Sequence, residues 1–439
     1  MKILNNIEKS FLLLALIMLI SGLIFGVLAS HVYLFPNLLK SELGFQSLRP
    51  LHVSSVMFWI LLGASGGVYC CLTNMNLSIY SKKLALYQLI FWMIAILGIF
   101  YSYKDKSFGG REYWEFNPIW ALPLAIAWVL FLINFFKTVM QIKKWPVYVW
   151  MWMTGIIFFL FTFIENYLWL FPYFRSHFVT DMTIQWKVNG SLVGSWNQLL
   201  YGISFYLMER IGKDNQVAHS KLAFGMFFLG LTNLMFNWSH HIYTLPTAQY
   251  IKHIGYVVSM TEWIILIKII YNWKNALNEA QKHFSYFPYR YLMIMDVWVF
   301  LNLGQAILMS IPAINIYTHG THITVAHAMG TTIGINSMII FAVCFEFLLP
   351  KDFYNSKRKK YLNIAFWGTQ ISLFIFWLSL NIIGIQKGFW QQSMPQISFS
   401  KMMLSLKPLF SVFAFSGIAV MVFMIFTASI ILRSNFNTK

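Results

Sequence analysis

Charged side chains are scarce in this sequence. Only 10% of its 439 residues are Asp, Glu, Lys or Arg, and Asp and Glu together number 14. A soluble domain of this length carries much more charge on its surface. Because 58% of the residues are hydrophobic and the mean hydropathy is +0.62, the composition excludes an ordinary soluble enzyme and indicates a protein with many membrane-spanning segments.

Cysteine is also rare. The chain contains Cys70, Cys71 and Cys344, and each falls inside a hydrophobic run. Their spacing fits neither a disulfide framework nor a zinc site, and the sequence has no Cys-x-x-Cys-His motif for covalent haem attachment. We expect these thiols to pack in the protein core.

Hydrophobic runs long enough to cross a bilayer recur along the whole chain. They are residues 11–30, 51–73, 84–102, 118–137, 147–171, 187–208, 221–243, 251–271, 291–311, 322–349, 361–384 and 407–432. We therefore predict an all-α polytopic membrane protein with about twelve transmembrane helices, in which residues 1–439 form a single domain.

Positive charge is concentrated in alternate loops between these runs. The chain has 32 Lys and Arg residues and a formal net charge of +18. Examples of the basic loops are Lys82-Lys83, Lys143-Lys144 and the run at 357–360. Such alternation follows the positive-inside rule and predicts that both termini lie in the cytoplasm. The charge therefore indicates membrane topology and contact with lipid, and we expect no nucleic-acid partner.

The tenth hydrophobic run opens with two side chains that can bind haem iron. His327 and Met329 are two residues apart. At about 100° per residue they project to nearly opposite faces of a helix. One helix could therefore offer an imidazole to one haem and a thioether to another. The alternative is that both side chains only pack in the core.

Other ligand-type residues fall at the same end of their helices once the loop charges fix the topology. With His327 and Met329, the set is His52, Asn189, His240 and His241. Residues of this kind are rare inside membranes and mark functional sites. A loop on the same side carries Arg111 and Glu112 beside aromatic residues, which suits haem propionates and a bridging cation. A solvated loop is the alternative.

Together these motifs resemble the catalytic subunit I of the haem–copper oxidase superfamily, in the branch that contains nitric oxide reductases and C-type (cbb-type) cytochrome c oxidases. The matching segments are Leu-Arg-Pro-Leu-His at 48–52, Gly-Arg-Glu-Tyr at 110–113, His-His-Ile-Tyr-Thr-Leu-Pro at 240–246, and Tyr-Thr-His-Gly at 317–320 with Ala-His at 326–327. The resemblance covers nearly the whole chain, and it implies a helical bundle in a bacterial cytoplasmic (inner) membrane.

The resemblance implies roles in haem binding. His52 would be one axial ligand of a low-spin haem b, and His327 would be the proximal ligand of a high-spin haem b. The family's second low-spin ligand is a histidine two residues after the proximal one, where this chain has Met329. We therefore expect His52 and Met329 to hold the low-spin haem, and Arg111 to contact haem propionates.

The resemblance also implies a non-haem metal beside the high-spin haem. His240 and His241 would bind it, and the metal is iron in the reductases and copper in the oxidases. The family's third metal-binding histidine is replaced here, by Asn189 when counted from the reductase pattern and by Gly190 when counted from the oxidase pattern. An additional glutamate ligand of the reductases is replaced by Val193. We expect Asn189 to be a weak ligand or to hold a metal-bound water.

Two carboxylates complete the implied set. Glu112 would bind a structural calcium, and Glu262 matches a glutamate near the catalytic site of the reductases. Because carboxylates inside the hydrophobic runs are few, Glu262 is the best candidate to deliver protons. Its alternative role is a hydrogen bond at a helix crossing.

The reaction is predicted from a missing tyrosine. The oxidases of this branch keep a redox-active tyrosine six residues before the histidine pair, where this chain has Leu234. We therefore favour reduction of nitric oxide, a small gaseous substrate, to nitrous oxide. The alternatives are a cytochrome c oxidase-like oxygen reductase, a dismutase that converts nitric oxide to dinitrogen and oxygen, and a non-catalytic haem b electron-transfer or assembly subunit. Electrons would come from a c-type cytochrome or another donor subunit at the outer face, or from quinol.

Overall fold

The structure is a computed structural model and describes residues 6–212, 217–283, 287–350, 356–393 and 397–436. These residues are almost entirely helical, and the extended pairing found within them is an isolated bridge between Phe108 and Phe116. The predicted all-α fold is confirmed.

Each predicted hydrophobic run falls on one long helix. In chain order these helices are α1 Ile7–His31, α2 Gly44–Asn74, α3 Lys82–Lys104, α4 Ala121–Val139, α5 Val147–Glu165, α6 Phe178–Gly212, α7 Lys221–Phe236, α8 with segments Gln249–Met260 and Glu262–His283, α9 Phe287–Ser310, α10 with segments His322–Met329, Gly330–Ser337 and Met338–Phe347, α11 Ser356–Gln392 and α12 Lys407–Phe436. Short helices at Pro172–Arg175, Pro312–Thr318 and Phe399–Ser405 lie between them.

Membrane spanning is supported for nearly all of these helices. Within the described residues, 11 helical spans are long and apolar enough to cross a membrane. The remaining long helix, α6, has 35 residues, which is more than the roughly 20 that a bilayer requires. Its sequence is more polar than the others because it carries Asp181, Lys187 and Asn189.

Local sequence explains where several helices begin. The side chains of Ser81, Ser220 and Thr321 each accept a hydrogen bond from a backbone N–H in the first turn of α3, α7 and α10. Such caps satisfy N–H groups that have no partner inside the helix.

Three helices are interrupted. α7 continues as a 3-10 helix at Asn237–Ile242, α8 is broken at Thr261, and the middle segment of α10, Gly330–Ser337, is a π-helix. Interruptions of this kind often lie at functional sites. All three helices carry predicted site residues.

Two helices form the centre of the bundle. In the most apolar stretch of α2, 89% of the residues are buried, and the value for the α10 span is 78%, against 17% for α8. α1 packs along α2 through Gly22 and Gly26, where a Cβ atom at Gly26 would lie 2.7 Å from His52 Nδ1. The absence of side chains at these glycines lets the two backbones approach closely.

Candidate active site

A cavity of about 790 Å³ lies inside the bundle. Its wall combines side chains from α2 and from α5 to α10 with one from the loop between α3 and α4. The predicted site residues in this wall are His52, Asn189, His240, His241, Glu262, His327 and Met329. All predicted site residues except the loop pair Arg111 and Glu112 therefore line the same cavity.

The two adjacent histidines lie on the irregular end of α7. The α-helix ends at Phe236 and the chain continues as a 3-10 helix over Asn237–Ile242. The ring centroids of His240 and His241 are 4.2 Å apart. Nδ1 of His240 shares a hydrogen bond with the Ser259 hydroxyl at 3.2 Å, which orients the ring and leaves Nε2 as a donor for a metal. The chain thus offers two neighbouring imidazoles.

Asn189, which was predicted as a third ligand, lies on α6 in the cavity wall. Its side chain is 4% exposed, and neither its oxygen nor its nitrogen has a hydrogen-bond partner in the protein. A buried amide without partners is costly, so a bound metal or a metal-held water would satisfy it. No group of three or more His, Cys, Asp or Glu side chains among the described residues is placed to hold a metal. The Asn189 amide is the candidate for a third ligand beside the histidine pair.

Two aromatic residues beside the pair were missed by the sequence analysis. Trp186, one turn before Asn189 on α6, stacks on His241 with centroids 5.3 Å apart and an interplanar angle of 8°. His319 packs against Trp186 with centroids 5.9 Å apart. Burial lowers the pKa of His319, which favours the neutral imidazole. Trp186 fixes the plane of the His241 ring.

Glu262 begins the second segment of α8 and lies in the cavity wall. The Asn237 side-chain amide donates a hydrogen bond to Glu262 Oε1 at 3.2 Å. Asn237 also begins the 3-10 helix that carries the histidine pair. The carboxyl group is therefore tied to a helix crossing and faces the same cavity as the pair.

His52 is held on the central helix α2. Its Nδ1 lies 2.7 Å from the carbonyl oxygen of Gly22, and a carbonyl oxygen can only accept, so Nδ1 carries the proton. The lone pair is then on Nε2, which is the orientation that a metal-ligating histidine requires.

Met329 and His52 line the same two cavities. Both residues line the large cavity and also a second cavity of about 30 Å³ between α1, α2, α10 and α12. His327 lines the large cavity, and its Nδ1 has no hydrogen-bond partner. This placement fits one group held between His52 and Met329 and another bound by His327.

The loop between α3 and α4 forms an ion-pair network with Arg49 of α2 and Asp181 of α6. Arg49 pairs with Glu112 at 3.0 Å and with Glu115 at 2.6 Å. Burial raises the pKa of Glu115, and the Arg49 guanidinium opposes that shift. Arg111 pairs with Asp181 at 2.7 Å. Arg111 and Glu112 therefore have protein partners, and the residue by which this loop lines the cavity is Tyr113.

Asp296 on α9 is a further cavity residue that the sequence analysis did not select. The signal was present in the sequence, because Asp296 is an acidic residue inside an apolar run of α9. Arg49 was also overlooked, although it precedes His52 by three residues in the quoted motif.

The chain is similar to subunits of oxidases and of a nitric oxide reductase. The model of the family described as Cytochrome C and Quinol oxidase polypeptide I matches residues 6–419. A nitric oxide reductase subunit from Stutzerimonas stutzeri is 23% identical over 420 residues, which cover 89% of this chain and 85% of that protein. Cytochrome c oxidase subunit 1 of Rhodobacter capsulatus is 24% identical over 394 residues, covering 85% and 74% of the two chains.

A third relative and a solved structure agree with this result. Cbb3-type cytochrome c oxidase subunit CcoN1 of Stutzerimonas stutzeri is 22% identical over 409 residues, covering 87% of this chain and 84% of that protein. The cryo-EM structure of a heme-copper terminal oxidase dimer has a TM-score of 0.74 at 16% identity, covering 98% of this chain and 84% of that one. A likeness at this identity shows a shared fold.

Proposed function

Because this chain belongs to the family of cytochrome c and quinol oxidase polypeptide I, whose members bind haems and a metal centre, we propose that it reduces nitric oxide to nitrous oxide. In that reaction two NO molecules, two electrons and two protons give one N₂O and one water. A relative named as part of a nitric oxide reductase aligns along most of the chain, which supports the proposal.

The choice of nitric oxide over oxygen as the substrate rests on the leucine at position 234. Leu234 lines the cavity and packs against α6, where a Cβ atom at Gly194 would lie 3.0 Å from Leu234 Cγ. The oxidases that this chain resembles have a redox-active tyrosine at that position. An aliphatic side chain supplies neither an electron nor a proton to oxygen, whereas a two-electron reduction of NO requires no such residue.

The side chains in the cavity fit the groups that the family binds. His52 and Met329 would hold a low-spin haem b, and His327 would hold a high-spin haem b. His240 and His241, with the unpartnered amide of Asn189, would hold the non-haem iron or copper. When bound, the high-spin haem and this metal supply electrons and positive charge to the reacting NO molecules.

The protein's own groups would position the reactants and supply protons. Trp186 holds the His241 ring by stacking, and the Ser259 hydroxyl orients His240. Glu262 faces the cavity beside Asn237 and would donate a proton to the oxygen that leaves as water. Proton delivery by a positioned carboxylic acid is an established form of catalysis.

The charge of the loops indicates the side of the membrane at which electrons enter. The basic loops predict a cytoplasmic location for both termini in a bacterial cytoplasmic membrane, which puts the histidine pair near the outer end of the bundle. A c-type cytochrome, another donor subunit or quinol would therefore deliver electrons at the outer side. Arg111 and Glu112 would serve this outer region by binding haem propionates and calcium.

Oxygen reduction is the second candidate. It is favoured by relatives of similar identity and coverage that are named cytochrome c oxidase subunits. The missing tyrosine at Leu234 argues against it.

Anaerobic turnover of the purified holoenzyme with NO and a chemical reductant tests the proposal. We expect nitrous oxide to form at half the rate at which NO disappears, without oxygen. His241→Ala should abolish turnover, whereas Gly304→Ala should not, because a Cβ atom at Gly304 meets nothing within 4 Å. Oxygen uptake without nitrous oxide formation would make the protein an oxidase, and haem without a second metal would make it an electron carrier.

A further inference from the structure

We propose that Asp296 is an internal proton carrier that supplies the active site from the end of the bundle opposite to the histidine pair. This inference rests on the proposed function, because only a reaction that consumes protons needs such a supply. It adds a residue on α9 and a direction of proton uptake.

The cavity extends along almost the whole thickness of the membrane. On α6 its wall includes residues from Trp186 to Gly212, and on α9 it includes residues from Tyr289 to Met309. At about 1.5 Å of rise per residue these stretches are about 39 Å and 30 Å long. The hydrocarbon core of a bilayer is also about 30 Å thick. The cavity therefore reaches well past the candidate active site.

The two ends of the cavity have different chemistry. One end contains Trp186 and the histidine pair. The other end contains Glu209 and Gly212 from the last turn of α6, Asn272 from α8 and Tyr289 from the first turn of α9. The loop charges predict that this second end faces the cytoplasm. Glu209, which accepts a hydrogen bond from the Tyr148 hydroxyl at 3.4 Å, therefore places a carboxylate at the cytoplasmic mouth, the end of the cavity predicted to face the cytoplasm.

Asp296 lies between the two ends. It is about 14 Å along α9 from Phe287, at 1.5 Å per residue, and it lines the cavity on the same helical face as Leu292 and Val299. Among the described residues no hydrogen bond or ion pair reaches its carboxyl group. An ionisable side chain inside the membrane without a partner is costly, and it is generally functional.

Polar groups continue from Asp296 toward the candidate site. Asn302 lies about 9 Å further along α9 at 1.5 Å per residue, and its amide donates to the Thr331 hydroxyl at 2.6 Å. The Thr331 hydroxyl donates to the carbonyl oxygen of His327 at 3.1 Å. The other oxygen-bearing group on this path, Asn302 Oδ1, has no partner.

On α7, which lines another part of the cavity, a row of polar side chains leads to Glu262. Asn233 and Asn237 line the cavity, and Asn237 donates to Glu262. The other titratable groups that line the cavity are Tyr201 and Glu209 on α6, Tyr289 on α9 and His327 on α10, together with His52, Tyr113 and the histidine pair. Water in the part of the cavity between Glu209 and Asp296 would connect the groups that do not contact one another directly.

The proton balance is simple. Asp296 in its protonated form releases one proton through water toward Glu262, and it regains one from the cytoplasmic mouth at Glu209. Each turnover that consumes two protons requires this cycle twice. No oxidant or reductant is involved beyond the electron donor of the main reaction.

Purified holoenzyme in liposomes tests the proposal. A pH dye is enclosed, and orientation is determined by protease access to the basic loops. We expect wild-type turnover of NO to consume protons from the basic-loop side. Asp296→Asn should lower kcat by about tenfold or more, a modest share of what a positioned acid contributes, with unchanged KM for NO and unchanged haem spectra. Asp296→Glu should restore most of the rate, and the loss in Asp296→Asn should shrink at low pH.

Val299→Ala is the matched control, because it alters the same wall one turn away without removing a carboxyl group. A gas channel would instead give Asp296→Asn a changed KM with an unchanged kcat, and that result would overturn the inference. Proton uptake from the histidine side would overturn it as well. If wild-type protein turns over oxygen rather than NO, the same proton measurement with oxygen decides the inference separately from the proposed function. If the protein turns over neither gas, both the proposed function and this inference are contradicted.

Discussion

Nδ1 of His52 donates a hydrogen bond to the backbone carbonyl oxygen of Gly22, 2.7 Å away on the neighbouring helix. This bond fixes both the tautomer and the plane of the ring, so that Nε2 is the free donor. The contact is close because α1 presents glycine here: a Cβ atom at Gly26 would lie 2.7 Å from the same Nδ1. The orientation of the proposed axial ligand therefore depends on α1, which contributes no ligand itself.

The first prediction is that Gly26→Ala displaces His52. An added methyl group in a packed contact costs about 1–3 kcal/mol, and moving the ring relieves it. We expect most of the low-spin haem signal to be lost while the high-spin signal remains, as measured by optical and electron paramagnetic resonance spectra. Gly304→Ala is the control, since its Cβ meets nothing within 4 Å. Unchanged low-spin spectra in Gly26→Ala would show that His52 is not an axial ligand.

The second prediction concerns Met329. A thioether is a weaker donor to ferric iron than an imidazole and raises the haem potential. Met329→His should therefore lower the midpoint potential of the low-spin haem by at least about 60 mV, a tenfold change for one electron, while the iron stays six-coordinate. Redox titration measures the potential, and a far-red thioether-to-iron band in the oxidised wild type should disappear. If the potential and the band are the same in both proteins, Met329 only packs against its neighbours.

Helix positions and ligand-type residues were accessible from the sequence because both depend on local patterns. Runs of apolar residues predicted the long helices, and loop charge placed His52, His240 and His327 at one end of the bundle. The structure finds these three side chains in one cavity wall. Their roles as ligands remain predictions.

Contacts between distant segments were not accessible. The stack of Trp186 on His241 and the pairing of Arg111 with Asp181 join residues far apart in the chain. Such pairs depend on how the helices are rotated and packed, which a single sequence does not specify. The π-helical segment of α10, Gly330–Ser337, is similar, because its hydrophobic pattern does not differ from that of an α-helix.

The third prediction separates two roles for Arg111. If it binds a haem propionate, Arg111→Leu should lower haem content several-fold, because a charge-assisted hydrogen bond contributes about 1.5–3 kcal/mol. Asp181→Asn removes the ion pair seen in the structure and keeps the guanidinium, so it should retain haem. Haem content by pyridine haemochrome assay decides. Equal losses in the two variants would mean that Arg111 acts only through Asp181.

The last prediction concerns the metal that His240 and His241 would share. An amide oxygen is a poorer ligand than an imidazole for iron or copper, so we expect the wild-type protein to lose this metal to chelators while keeping both haems. Asn189→His places an imidazole at the position of the unpartnered amide. It should slow metal loss by at least about tenfold, similar to the effect of other supporting ligands. Asn189→Ala should speed the loss, because it removes the side chain's oxygen and nitrogen together. Metal analysis after timed dialysis against a chelator measures both effects. If Asn189→Ala keeps its metal and its NO turnover, Asn189 takes no part in the site.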